Sequence, residues 1–165
     1  MADQSEADAV GVDFVVVAYR EEGVWQVEEL SEEHAGDLDR LSRELRRYPG
    51  DGGALGLVSV DEDFFVLVRV LGARTKILLS DVTAANDWPI ARSALKHLDL
   101  PLPEDEDGQA PAGDLGILSD LGLGAMDMGA LLDDDELFPD EILGDIATKI
   151  GFGPQFEEAA EVASP

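Results

Sequence analysis

Hydrophobic positions recur along the chain with two periods, and the change from one to the other marks out strands and helices. Residues 13–20 are an almost unbroken apolar run of Phe14, Val15, Val16, Val17, Ala18 and Tyr19, rich in β-branched side chains and short enough to be a buried strand. Glu21, Glu22 and Gly23 supply a turn. Over residues 24–30, Trp25 and Val27 alternate with Gln26 and Glu28, the pattern of a strand wet on one face. Ser31 then offers an N-cap, with Glu32 and Glu33 placed to complement a helix dipole. Ala35, Leu38, Leu41, Leu45 and Tyr48 follow as one helical stripe that Pro49 and Gly50 terminate.

Period two returns in residues 55–60 and 64–71, joined by Asp61, Glu62 and Asp63. The second run carries Phe64, Val66, Val68 and Val70 on one face and Phe65, Leu67 and Leu71 on the other. Gly72 and Ala73 form a two-residue connection of the kind favoured in type II′ hairpins, leading into a strand over residues 75–79. Residues 81–99 read as helical: Trp88, Ala91, Leu95 and Leu98 share a stripe, and Pro89 sits near the first turn, where a missing N–H is tolerated. This order predicts an α+β fold, a five-stranded antiparallel sheet (ββαβββα) with helices packed on it. It matches the longin, profilin and roadblock topology, with sheet order 2-1-5-4-3. The likeness is one of fold and does not fix function.

Composition shifts after Asp99. Residues 100–113 combine Pro101, Pro103 and Pro111 with Glu104, Asp105, Glu106 and Asp107, the content of an extended, solvated linker. Hydrophobicity then returns at Leu115, Ile117, Leu118, Leu121 and Leu123, too glycine-interrupted for one long helix. Residues 139–150 form a better one, with Ile142, Leu143, Ile146 and Ile150 on one face and Gly151 or Gly153 to stop it. The chain thus divides into a loose N-terminal tail (1–11), a sheet domain (12–99), a linker (100–113) and an acidic helical region (114–165).

Charge changes this picture more than size does. The 165 residues and 45% apolar content suffice for a real core, but 37 acidic groups against 11 basic ones give a net charge of -26. Residues 1–96 hold 10 of the basic groups and 19 of the acidic ones; residues 97–165 hold 1 and 18. Such a surface repels phosphate backbones and anionic membranes over about 8 to 10 Å. It predicts a basic protein partner, no membrane association and, short of a local basic patch, no direct nucleic-acid binding. Arg40, Arg43, Arg46 and Arg47 gather towards the end of the first helix, where dipole compensation and pairing with nearby acids account for them better than a binding patch.

Catalytic chemistry is scarce. The absence of cysteine excludes disulfides, thiolate zinc sites, iron–sulfur clusters and cysteine nucleophiles. His34 and His97 are the only near-neutral acid/base groups, each on or beside a predicted helix and each better explained as an ordinary surface or partly packed residue. Neither a nucleophile elbow nor a phosphate-binding glycine motif is present. Asp133, Asp134, Asp135 and Glu136 suggest a cation site, but an EF-hand loop starting at Asp133 would have Phe138 where its central glycine belongs. The expectation is a protein without catalytic residues, cofactor or metal. With no secretory signal and no apolar run long enough to span a bilayer, a cytoplasmic location is expected.

In the C-terminal region, apolar anchors interleave with acids. This pattern suits a docking element whose apolar side chains enter a partner groove while its acids meet a basic rim, and it equally suits a segment packed back on the chain's own sheet. For docking, the candidate partner-binding residues are Met126, Met128, Asp133, Asp134, Asp135, Phe138, Asp140, Ile142, Phe152 and Phe156.

The same region carries a resemblance. Gly113, Asp114 and Leu115 lead to Asp120, Leu121 and Gly122. Met126, Asp127 and Met128 follow, then Phe138, Pro139, Asp140, Glu141, Ile142 and Leu143, and finally Gly151, Phe152, Gly153 and Phe156. On these residues, and on the Trp88 helix, residues 14–156 resemble the bacterial family of tRNA adenosine deaminase-associated proteins. The resemblance implies association with that enzyme and brings no catalytic residues. The chain is not the deaminase itself, whose P-C-x-x-C zinc element requires cysteine. It implies a non-catalytic accessory protein, docked on the basic surface that a tRNA-modifying enzyme must present. Two other readings stand beside it: a roadblock-like or longin-like adaptor, acting as a homodimer on another enzyme, and an acidic nucleic-acid mimic occupying a basic site.

Overall fold

The computed structural model describes residues 12–48, 53–103, 110–134 and 137–163. The tail over residues 1–11, Pro49, Gly50 and linker residues 104–109 lie outside the described residues. Three apolar runs become the centre of a sheet: β1 (Val12–Glu21), β3 (Ala54–Val60) and β4 (Phe64–Leu71), each buried along most of its length. β2 (Val24–Glu29) lies outside β1, and β5 (Arg74–Leu79) outside β4. A two-residue β6 (Ala112–Gly113) completes six antiparallel strands in the order β2-β1-β3-β4-β5-β6.

The α+β class and the antiparallel sheet follow the sequence pattern, but the strand order corrects it. A 2-1-5-4-3 sheet would place the fifth strand beside the first. Here β3 takes that position, pairing Val15 with Val58 and Val17 with Gly56. The reason lies in the side chains. Every residue of β3 is small or apolar apart from Ser59, and all are buried. β5 instead opens with Arg74, Thr75 and Lys76, whose polar ends keep their hydration only near an edge. The longin, profilin and roadblock likeness therefore fails at the strand order. The sixth strand comes from residues 112 and 113, which pair with Leu79 and Leu78. Gly113 is required there, because its φ is +113° and a Cβ would fall 2.1 Å from the Ile77 carbonyl oxygen.

Helices cover both faces. On the first lie a 3-10 turn (Glu32–Gly36), α1 (Leu38–Leu45), a second 3-10 turn (Val82–Asn86) and α2 (Pro89–His97). The expected stripe holds, with Leu38, Leu41 and Leu45 packing with Val15, Val17, Val58 and Val66. The helical pattern breaks at Gly36, however, and Asp37 rather than Ser31 caps the main helix, accepting from the Asp39 backbone N–H at 2.9 Å.

The C-terminal region covers the second face, as α3 (Ala125–Leu132), α4 (Pro139–Ile150) and α5 (Gly153–Ala163). Phe14, Val16, Leu57, Phe65 and Leu67 pack there with Ile117, Met128, Leu143, Ile146 and Phe152. The Phe152 ring lies 4.9 Å from Trp25, and Phe156 meets Phe14 edge to face at 5.5 Å. Gly151, in the left-handed region at φ 119°, stops α4.

One charge sits inside this second core. Arg69 of β4 is buried, and its guanidinium donates to both carboxylate oxygens of Asp120, at 2.5 and 2.9 Å, and to the Ile117 carbonyl at 2.9 Å. The hydrogen bond from Arg69 holds the Asp120 carboxyl below its ordinary range. A depressed carboxylate stabilises the fold fully above its unfolded pKa and loses that contribution as pH falls through the lowered value.

Two outcomes test this packing. Phe152→Ala should cost about 3 to 5 kcal/mol in urea unfolding, whereas Met126→Ala, on an exposed side chain, should lie within about 0.5 kcal/mol of the parent. Asp120→Asn should lower the melting temperature at neutral pH, with the deficit against the parent narrowing only in acid below the ordinary aspartate range.

Candidate functional site

An open cleft of about 490 Å³ lies where the β3–β4 turn, the end of β5 and the α3–α4 connection meet. Asp63, Asp81, Asp133 and Asp134 line it, and Phe65, Leu137 and Ile142 supply apolar surface. Asp63 closes a turn in which Asp61 and Glu62 take left-handed φ values of 52° and 50°, uncommon for residues with a Cβ. Asp13 holds that turn: one carboxylate oxygen accepts from Ser59 Oγ and from the Glu62 backbone N–H, each at 2.9 Å. Burial raises the Asp63 pKa, and the nearby charges of Asp81, Asp61 and Asp87 push it the same way.

Asp81 is buried and caps the Val82–Asn86 turn, accepting from the Thr83 backbone N–H at 2.9 Å and its hydroxyl at 2.7 Å. Asp133 is the C-cap of α3, and Asp134 follows it. Carboxylates at a helix C-terminus face its negative end, at a cost of roughly 0.3 to 1 kcal/mol that an incoming cation relieves.

A second cleft of about 640 Å³ lies between α4 and α5. Asp140, Glu141 and Asp145 of α4 and Glu157 of α5 line it, with Phe14 and Phe156 as its apolar part. Among the described residues, no three histidine or acidic side chains converge as a metal ion would need, so the carboxylates form walls rather than a ligand cage. Neither His34 nor His97 lines either cleft. Among the described residues, no helix is long and apolar enough to cross a membrane.

The ten residues singled out from the sequence separate into groups. Met128, Ile142, Phe152 and Phe156 are buried against the chain's own sheet. Met126 and Phe138 are 91% and 55% exposed. Asp133 and Asp134 line the first cleft and Asp140 the second; Asp135 lies outside the described residues. Phe138 is the N-cap of α4, its backbone N–H donating to Glu141 Oε1 at 3.1 Å, which fixes the backbone that carries the ring. Sequence reasoning missed Asp63, Asp81 and Glu157 as wall residues. The acidic turn at Asp61 and the Asp-x-Thr cap were visible locally, but nothing local shows that they lie beside the α3–α4 connection.

Comparison with known proteins adds two matches. The family described as Rv3753c-like tRNA adenosine deaminase-associated protein matches residues 13–153, a span that includes walls of both clefts. Protein Rv3753c of Mycobacterium tuberculosis (strain ATCC 25618 / H37Rv) is 42% identical over 145 residues, covering 86% of this chain and 84% of that protein. No solved structure matches the chain.

The raised pKa of Asp63 has a defined sign. Its carboxylate is less favourable in the folded than in the unfolded state, so the penalty is present above the raised pKa and disappears as pH falls below it. Asp63→Asn should therefore melt higher than the parent at about pH 7, and the difference should shrink at about pH 4, as read by thermal unfolding at the two pH values.

Proposed function

The chain belongs to the Rv3753c-like tRNA adenosine deaminase-associated protein family, and from that premise we propose that it is a non-catalytic accessory protein that docks on a basic surface of a tRNA adenosine deaminase. The observation that carries the proposal is the make-up of the C-terminal layer. Residues 97–165 hold 1 basic group and 18 acidic ones. The layer they build exposes Met126 and Phe138 and lines two clefts with carboxylates.

Lysine or arginine side chains of the enzyme enter the acid-walled clefts, while Met126 and Phe138 bury against its apolar surface as anchors. Unlike charges steer the encounter and make it salt-sensitive. The buried Met128 and Phe152 act as support for this surface, while Ile142 and Phe156 form part of the apolar walls of the two clefts. The dimeric roadblock-like adaptor loses the strand order that suggested it.

The test is co-purification of the full chain with the deaminase of the same genome at low and at high salt. The complex should form at low salt and weaken as salt rises. Asp133→Lys with Asp134→Lys should abolish it, and Phe138→Ala should weaken it by about tenfold or more. No complex at any salt would overturn the proposal, and tRNA displacing this chain from the enzyme would favour the nucleic-acid mimic.

A further inference from the structure

On the face of the sheet opposite the acidic clefts, Ser42, Arg43, Arg46, Thr75 and His97 line an open groove of about 540 Å³, with Asp39 and Ala73 completing it. Among the described residues, its arginines are held by uncharged partners. Arg46 donates from Nη2 to Thr75 Oγ1 at 2.7 Å and from Nε to the Gly72 carbonyl at 3.5 Å. Arg43 donates from Nε to the Asp39 carbonyl at 3.4 Å. Among the described residues, neither guanidinium has a carboxylate within ion-pair distance, and of the arginines on and just beyond α1 only Arg47 pairs, with Glu44 at 3.1 Å. The expectation for this cluster holds at Arg47, which meets Glu44, and at Arg43, which lies in the last turn of α1 where it complements the dipole, while Arg46 reaches across to Thr75 and Gly72 instead. A chain with 37 acidic groups and 11 basic ones has acids to spare for every arginine, yet these two are left to carbonyls and a hydroxyl.

We propose that this groove binds the phosphate backbone of the RNA on which the partner enzyme works, an inference that rests on the accessory role above. Two guanidinium forks and an imidazole offer more donors than a carboxylate's two oxygens engage, whereas the oxygens of successive phosphates accept from all of them. Among the described residues that line the groove, Asp39 is the one acid beside two arginines. The net charge of -26 repels RNA from the free chain, so the groove binds weakly alone. Once the acidic layer is covered by a basic enzyme, that repulsion falls. The chain then holds the enzyme on one face of its sheet and the RNA on the other.

The experiment measures fluorescence anisotropy of labelled tRNA at low salt with the full chain, alone and in complex with the deaminase. Arg43→Gln, which removes no hydrogen bond to another element, and Arg43→Gln with Arg46→Gln are compared with the parent. Binding should weaken about fivefold or more in the double variant, with a salt slope shallower by about 1.4 for two lost single-strand phosphate contacts. A short RNA should compete where inorganic phosphate at equal phosphate concentration does not. Equal competition by inorganic phosphate or by poly-glutamate would overturn the RNA assignment. So would equal binding by parent and variants, or no binding by chain or complex. The double variant should still co-purify with the enzyme. Loss of the enzyme in Asp133→Lys with Asp134→Lys, while Arg43-dependent tRNA binding persists in the free chain, supports the groove independently of the docking surface.

Discussion

A sheet whose central strands are apolar on both faces has to be covered twice. β1, β3 and β4 present Val15, Val17, Val58 and Val66 to one side and Val16, Leu57, Phe65 and Leu67 to the other. Each face left in water would expose several large side chains at about 25 cal/mol per Å². The first cover is interleaved with the strands in sequence. The second has to come from the acidic half of the chain, which sets much of the surface chemistry: a layer recruited for its leucines, isoleucines and phenylalanines brings its carboxylates to the outside. Docking and core formation are then two sides of the same helices.

Arg69 makes the attachment of that layer specific. Apolar packing alone would let the segment around Ile117 slide over β4, since leucines and valines are interchangeable partners. A buried guanidinium is not. It engages Asp120 and the Ile117 carbonyl together, so one register of the connection is favoured over its neighbours. The pair adds little through Coulomb attraction alone, because the Asp120 side chain is largely in solvent. Its contribution is to make misplacement costly.

The elements were legible where periodicity is local. The stripe at Leu38, Leu41 and Leu45, the positive φ of Gly72 and the glycine stop at Gly151 all follow from short-range rules. Strand order was not, because pairing β1 with β3 or with β5 satisfies the same local pattern. The deciding signal, Arg74 and Lys76 at the start of β5 against the unbroken small and apolar β3, is visible only when strands are compared as candidates for the centre. The site was half legible for a related reason. An acidic, aromatic-bearing segment announces a surface, but Phe138 and Phe152 look alike until it is known which of them the sheet needs. The runs in β1, β3 and β4 carried that information: strands apolar on both faces require a second helical layer, and residues 114–163 were there to form it.

That second layer is also the last to be made. When α2 has just been synthesised, the first side already has both of its helices, yet the side carrying Phe14, Leu57 and Phe65 waits for about 60 residues still to be translated, about 3 to 12 s at ordinary rates of synthesis. The nascent chain therefore passes through an interval with a naked, sticky plane, and any chaperone that attends it would have to release before α4 and α5 can close over the gap.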